Sequence, residues 1–383
     1  MNQGVPASKV LSDSPGKIAL RTLVHDKRTW ISLVLLFIIL FLVLIAPLYA
    51  SKIAHTDPFL SSVNGVITID GREQPILQPA TDGLGLGVIP IGPTWNISQY
   101  FLGADSQGRD VFARLLYGGR NTLLIGTAAA TLTILLSLLV GLIAGYWRGL
   151  IDSVLSRILD VIWAFPVYLL SISLSVVLLT SGLNLGIIHF GPGSLALPIA
   201  IIGLVYIPYV ARPIRGQVLA LRERDFVRAA VGSGAKHSTI IFREILPNVM
   251  PSVLVFLPLM IALAMLTESA LSFLSIGVQP PAASWGTIIN DGLGLLYTRP
   301  LVAFAPGMMI VITAVALNLL GDAVRDALDP KARLAQVVGG IGQIGDGLVK
   351  QLLPDMREGH LHGMEVVEGG HFRRALLQGE GTH

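Results

Sequence analysis

At 383 residues, with 52% hydrophobic and only 13% charged residues and a mean hydropathy of +0.70, the chain falls far short of the roughly 25% charge of a soluble domain; it reads as an all-α polytopic membrane protein. Its net charge of +3 does not call for nucleic acid, because the cations stand at the ends of apolar runs and in alternate loops, where they set membrane topology and point to the lipid bilayer as the partner. The absence of cysteine excludes disulfides, thiolate metal sites and cysteine nucleophiles.

Residues 1–29 carry Lys9, Lys17, Arg21, Lys27 and Arg28 against Asp13 and Asp26, a cytoplasmic tail by the positive-inside rule. The uncharged run Trp30–Ala50 is long enough to span at 1.5 Å per residue. It exceeds the apolar region of a signal peptide, so it is expected as an uncleaved first span over 30–50. Residues 51–101 turn polar and rich in Gly and Pro with few cations, which predicts a small extracytoplasmic insertion. Within it Val66–Asp70 and Gln74–Leu77 predict a hairpin around Gly71. Gly83, Gly85 and Gly87 read as loop glycines, since no helical pattern follows them.

A core of five further spans is expected over 102–330. In Leu102–Leu123, Val111, Leu115 and Leu116 share one face, which predicts an amphipathic helix at the outer membrane surface. There Asp110 with Arg109 or Arg114 fits an interfacial ion pair. Leu123–Tyr146 predicts the second span, Gly149–Asp160 a short inner amphipathic helix, and Val161–Leu179 the third span. Ser181–Ser194 is a glycine-rich outer loop. Leu195–Val210 predicts the fourth span, with Pro198, Pro208 and Pro213 placed to kink or end it. Val249–Leu274 and Leu301–Leu320 complete six.

The longest polar interruption, within 211–248, holds Arg222, Arg224, Arg228, Lys236 and Arg243 against Glu223, Asp225 and Glu244, and it is predicted to face the cytoplasm. Asp225 is expected to cap a short helix through Ser233. Gly234 suits the left-handed turn that ends it, and Ser238 is expected to cap a second helix climbing toward Pro247. Glu268 is the one acid inside a predicted span, where a carboxylate costs about 2.5–3.5 kcal/mol unless paired or wet. Two roles fit it: lining a translocation path, or a structural one as a buried pair or at an interfacial position near the outer leaflet.

Two further patterns are set aside. Gly340, Gly342 and Gly345 form a GxGxxG, but too little chain follows for a nucleotide-binding domain. His360, His362 and His371, in a cytoplasmic tail over 331–383, lack a carboxylate or cysteine to complete a metal shell. No catalytic, cofactor or metal site is expected in this chain.

The loop resembles that of ABC-transporter permeases, whose Glu-Ala-Ala, three residues, Gly, and later Ile-x-Leu-Pro pattern is met here by Arg228, Ala229, Ala230, Gly234, Ile245, Leu246 and Pro247. The usual Glu is Arg228, and Ile245 directly precedes Leu246. Gly103, Asp105, Gly108–Asp110, Arg114, Leu115, Tyr117, Gly118 and Arg120 are similar to the segment before the second span in the dipeptide, oligopeptide and nickel group. The runs Glu268–Gly286 and Gly321–Pro330 resemble signatures of that same group. The resemblance implies one of two permease subunits in an ATP-driven importer of dipeptides or oligopeptides, with nickel or another small solute as the alternative cargo. It also implies a homologous permease as heterodimer partner, an extracytoplasmic substrate-binding protein, and two cytoplasmic ATPase subunits that hold ATP and Mg²⁺. The implied location is the bacterial inner membrane, with both termini cytoplasmic. On this reading Asp225, Phe226, Arg228, Ala229, Ala230, Gly234, Leu246 and Pro247 form the ATPase-coupling loop. A channel or secondary transporter would need several intramembrane charges, and an intramembrane enzyme would need paired acids or histidines in the spans.

Overall fold

A computed structural model describes residues 15–69, 71–80, 87–184, 186 and 189–328. Gly83, Gly85, Gly340, Gly342, Gly345, the three tail histidines and the tail 331–383 lie outside the described residues. Ala19–Leu328 forms one compact unit.

After helix α1 (Pro15–His25), Asp26 accepts from the Arg28 backbone N–H and starts α2 (Lys27–Leu44). Trp30, Phe37, Phe41 and Leu44 of α2 are exposed while Ile39 and Val43 are buried. That division is expected of a helix with lipid on one side and protein on the other. Helical turns at Ala46–Leu48 and Tyr49–Ala54 carry the chain off the membrane.

The insertion is built from short antiparallel strands. β1 (Val66–Ile69) pairs with β2 (Arg72–Pro75) across Gly71, whose φ of +76° suits a residue without Cβ, and β3 (Leu77–Pro79) pairs with β4 (Val88–Pro90). Ile67, Ile76, Ile91, Tyr100 and Ala104 close a small core of their own.

The outer interfacial helix predicted over Leu102–Leu123 is not there as a separate element. A single helix α3 (Val111–Tyr146) runs 36 residues, about 54 Å, absorbing both that stretch and the span expected after it. The chain before it forms turns and an isolated bridge from Ala104 to Asp110. The physical reason is the cap: Asp110 accepts from Phe112 N and Ala113 N, and no proline stands between Val111 and Tyr146 to break the helix once it has started.

The next two crossings are bent. α4 (Leu150–Trp163) and α5 (Val167–Ser181) meet at 88°, and α6 (Ala196–Val205) and α7 (Ile207–Arg222) at 42°. The straight span expected over Val161–Leu179 is therefore corrected. Pro166 stands immediately before α5 and disfavours helical backbone at Phe165, so the apolar run is split. In the fourth crossing the break falls at Tyr206, with Pro208 in the first turn of α7, while Pro198 and Pro213 are carried inside helices. A hairpin of β5 (Leu183–Asn184) and β6 (His189–Phe190) joins the two crossings.

Helix α8 (Asp225–Gly232) leads to a turn at His237–Thr239, a π-helical turn Ile240–Ile245 and α9 (Leu246–Phe273). α10 (Trp285–Gly292) and α11 (Leu301–Leu328) end the unit. Among the described residues, four helical stretches are long and apolar enough to cross a membrane, or six if each bent pair counts as one crossing.

α3 sits among α6, α7 and α9. Ile125, Ala129 and Ile134 meet Ile202, Val210 and Ile214, and Val249, Val253, Met260 and Leu271 complete the same core. Gly141 and Gly145 lie directly against Ile214 and Val218. A side chain there would push α3 and α7 apart, which is how small residues serve helix packing where lipid supplies no hydrophobic drive.

Candidate functional site

The loop between α7 and α9 lies at the end of the bundle opposite the strand insertion. Its first half is pinned by charge. Arg215 grips Asp152 of α4 through two bonds of 2.6 and 2.7 Å, and Arg212 reaches Asp160 at 2.7 Å. Arg222 donates to the Tyr146 carbonyl at the end of α3, at 2.7 Å. Glu223 is bridged by Arg148 and, at 3.0 Å, by Arg228, and these two arginines hold its carboxyl below the usual carboxylate range.

Helix α8 follows, and its cap differs from expectation. Arg224 occupies the cap position without a side-chain bond, and Asp225 is the first helical residue. There the carboxylate favours the positive end of the helix dipole instead of capping it. The far end is as expected. Gly234, at φ +78°, donates to Val231 O at 3.0 Å and Ala235 to Ala230 O at 3.0 Å, the paired bonds of a left-handed helix stop.

Ser238 does not cap a second helix. Lys236 holds that position, Ser238 lies within the turn, and the helical path continues through Leu246 and Pro247 into α9. Pro247 is tolerated because the first turn of a helix has N–H groups to spare. Tyr146 Oη and His237 Nδ1 lie 2.6 Å apart, tying this return arm to α3.

α8 divides into two faces. Val227 is 1% exposed and joins the main core with Ile240 and Ile245, and Ala230 and Leu246 pack against it. Phe226 (41% exposed) and Ala229 face away from it with Val231. Ala230, expected among the free contacts, thus belongs to the loop's anchor. Phe242, 64% exposed, joins the outward apolar set. Its signal in the sequence was a lone aromatic beside Arg243, indistinguishable there from a membrane-interface residue.

Glu268 lies in α9 with no exposed surface. Ser272 Oγ donates to its Oε1 at 2.7 Å and Ser269 Oγ to Oε2 at 3.4 Å. The hydroxyls of Ser284 and Thr122 also lie beside its carboxyl. Thr122 Oγ1 accepts from Trp285 N, and Ser272 Oγ from Val278 N. The carboxyl thus gathers α3, α9 and the segment leading into α10.

At the insertion end, Asp110 pairs with neither Arg109 nor Arg114, contrary to expectation. Besides capping α3 it accepts from Tyr100 N at 3.0 Å, and burial pushes its carboxyl up against the pull of these backbone N–H groups. Arg109 donates to Asp105 at 2.7 Å and to Asp291 at 2.8 Å, and Arg114 donates to the same Asp291 oxygen at 2.8 Å and to Pro58 O at 3.2 Å. Asp291 was missed. Its signal was there: it is the single acid between Glu268 and Asp322. Arg299 donates to Pro90 O at 2.7 Å, a second tie between insertion and bundle. Among the described residues no cluster of His, Asp and Glu is placed to hold a metal ion.

Residues 137–334 match the family described as binding-protein-dependent transport system inner membrane component. The dipeptide transport system permease protein DppC of Alkalihalophilus pseudofirmus is 32% identical over 87% of this chain and 95% of its own length. The oligopeptide transport system permease protein OppC of Bacillus subtilis is 40% identical over 61% of this chain and 73% of its own. The glutathione transport system permease protein GsiD of Pectobacterium atrosepticum is 38% identical over 62% and 74%.

Proposed function

Because the chain belongs to the family of binding-protein-dependent transport system inner membrane components, we propose that it forms half of the membrane pore of an ATP-driven importer of dipeptides and oligopeptides. The named cargoes of its relatives support that substrate class. The chain is a multi-pass inner-membrane permease, and ATP hydrolysis falls to ATPase partners that bind ATP and Mg²⁺. A homologous permease completes the pore as a heterodimer, and an extracytoplasmic binding protein delivers the cargo. Both termini and the loop 211–248 face the cytoplasm; the strand insertion faces outward.

The observation that carries this reading is the two-faced loop. Val227 and the arginine pairs fix it to α3, α4 and α9, so a force applied to it reaches the spans. Phe226, Val231 and Phe242 stay exposed, an apolar set left uncovered by the described residues and suited to a groove on one ATPase subunit. Transport requires that the loop bind the ATPase differently in its two nucleotide states, because equal affinity would shift no equilibrium. Glu268, wrapped in hydroxyls, serves to hold α3, α9 and the α10 segment together and is not itself a cargo site.

Gly234→Pro tests the docking. Proline can neither take a φ of +78° nor donate to Val231 O, so the helix stop is lost while the spans keep their sequence. The variant should insert normally and lose uptake of labelled peptides by about tenfold or more in vesicles, a change in coupling of at least ~1.4 kcal/mol. Undiminished uptake would count against the loop as the coupling element.

A further inference from the structure

A cleft of about 800 Å³ opens beside the first span, between α2, α3, α9 and α11. Its walls are almost wholly apolar, including Leu40, Val43 and Leu124. The cation, the amide and the phenol of the lining cluster at one end, where Arg120, Asn121 and Tyr117 meet Phe59 and Pro281, while the hydroxyls of Thr127 and Thr313 lie deeper. The cleft is also confined in depth. Its deepest lining residues are Leu36, Thr127, Ile261 and Leu317, each close to the midpoint of its own helix. It therefore runs from the insertion end of the bundle to about the middle of these helices and stops.

Arg120 stands at its mouth, nine residues or about 14 Å below the start of α3. Its guanidinium carbon lies 5.7 Å from the centre of the Tyr117 ring, and among the described residues it forms no ion pair. The neighbouring Arg109 and Arg114, by contrast, are each held by carboxylates. An aromatic and a cation at the edge of the hydrocarbon layer form an interfacial anchor, and an unpaired guanidinium there offers a fork of donors to a phosphate.

From this geometry we infer that the cleft is a phospholipid site, with the phosphate on Arg120 and an acyl chain descending between α2 and α3. Depth decides the occupant. A transmembrane helix from a partner subunit crosses both leaflets and would need a groove along the whole bundle, whereas a lipid tail stops part-way across, as the cleft stops part-way along its helices. Charge agrees, since the one cation in the lining stands at headgroup level. The bound lipid would fill the gap between the first span and the helices it leans on, making the position of α2 depend on it.

The test uses the assembled importer in nanodiscs of phosphatidylethanolamine and phosphatidylglycerol. A photoreactive benzophenone residue replaces Leu124 inside the cleft or, as a bulk-lipid reference, Phe37, which is 68% exposed on α2 and outside the cleft lining. After illumination, mass spectrometry should find phospholipid adducts at Leu124 well above those at Phe37. Arg120→Gln should lower the Leu124 adduct by about tenfold, the loss expected for one charge-assisted hydrogen bond, and leave Phe37 unchanged. Should the Leu124 replacement impair assembly, Thr127 offers the same wall. Equal labelling at both positions would mean bulk lipid only and overturn the site. An adduct with the partner permease, or with added peptide in place of lipid, would overturn it equally.

Discussion

Arg114 is 2% exposed and Arg109 8%, and between them they claim both Asp105 and Asp291. Such a pair of pairs gains little over an apolar replacement, because desolvation offsets most of the attraction; removing one member, however, strands buried charge. Asp291→Ala should therefore destabilise the purified protein by about 3 kcal/mol, the low end of the range for a broken buried pair, since Asp291 keeps 29% exposure. A thermal melt in detergent reads this, and a midpoint equal to the wild type would show that the cluster does not hold the insertion in place. Asp105 and Asp110 illustrate what separates neighbouring acids. Both are 1% exposed and both accept backbone N–H groups, yet only Asp105 also answers arginines. The sequence offered Asp110 as an ion-pair partner for Arg109 or Arg114. The helix start took its carboxylate for the cap instead.

At the scale of elements, the loop shows how far local signals reach. Its helix, its glycine stop and its basic character were all legible, because each depends on a handful of consecutive residues. The caps were not: both Asp225 and Ser238 are good capping types placed one or two positions too far along, and helix starts slide easily by that much. The link from Glu223 to Arg148 and Arg228 was also hidden, since Arg148 is far away in sequence. It makes the loop pH-sensitive. The Glu223 carboxyl titrates below its ordinary value in the folded chain, so the folded loop binds the proton less readily than the unfolded one. The contribution is present above the ordinary carboxylate range and is lost as pH falls through the lowered value. A spin label at Val231 should stay ordered from neutral pH down to that range and loosen below it. In Glu223→Gln the label should be looser throughout, and an acid transition that survives there would assign the effect to another group.

For the whole molecule, composition predicts six crossings, and the distribution of arginine and lysine predicts their sidedness. Because the chain contains no cysteine, sidedness can be measured without background. On intact cells a membrane-impermeant maleimide should label Arg72→Cys in the β1–β2 hairpin and reach Ser233→Cys only after permeabilisation. The reverse pattern would invert the topology and remove the loop from the ATPase. What composition missed is the shape of the crossings. Pro166 sits in a run apolar enough to pass for one straight span, yet the chain turns through 88° beside it. Asp152 and Asp160 of α4 face Arg215 and Arg212 of α7, while Leu150, Val154 and Ile158 of the same helix remain exposed. A helix with charge on one flank and bare apolar residues on the other is suited to lying at the membrane edge.

The order of apolar runs, the basic loop with its glycine stop, the hairpin at Gly71 and the separated family motifs were determined by the sequence alone, because hydropathy, charge and turn chemistry act over a few neighbouring residues. Tertiary structure decided the rest: which acid caps and which pairs, where the spans bend, which side of α8 is buried, and that a cleft opens beside α2 with an arginine that no described carboxylate pairs. Each of these depends on groups tens to hundreds of residues apart being brought within a few ångströms, and no local pattern encodes that distance.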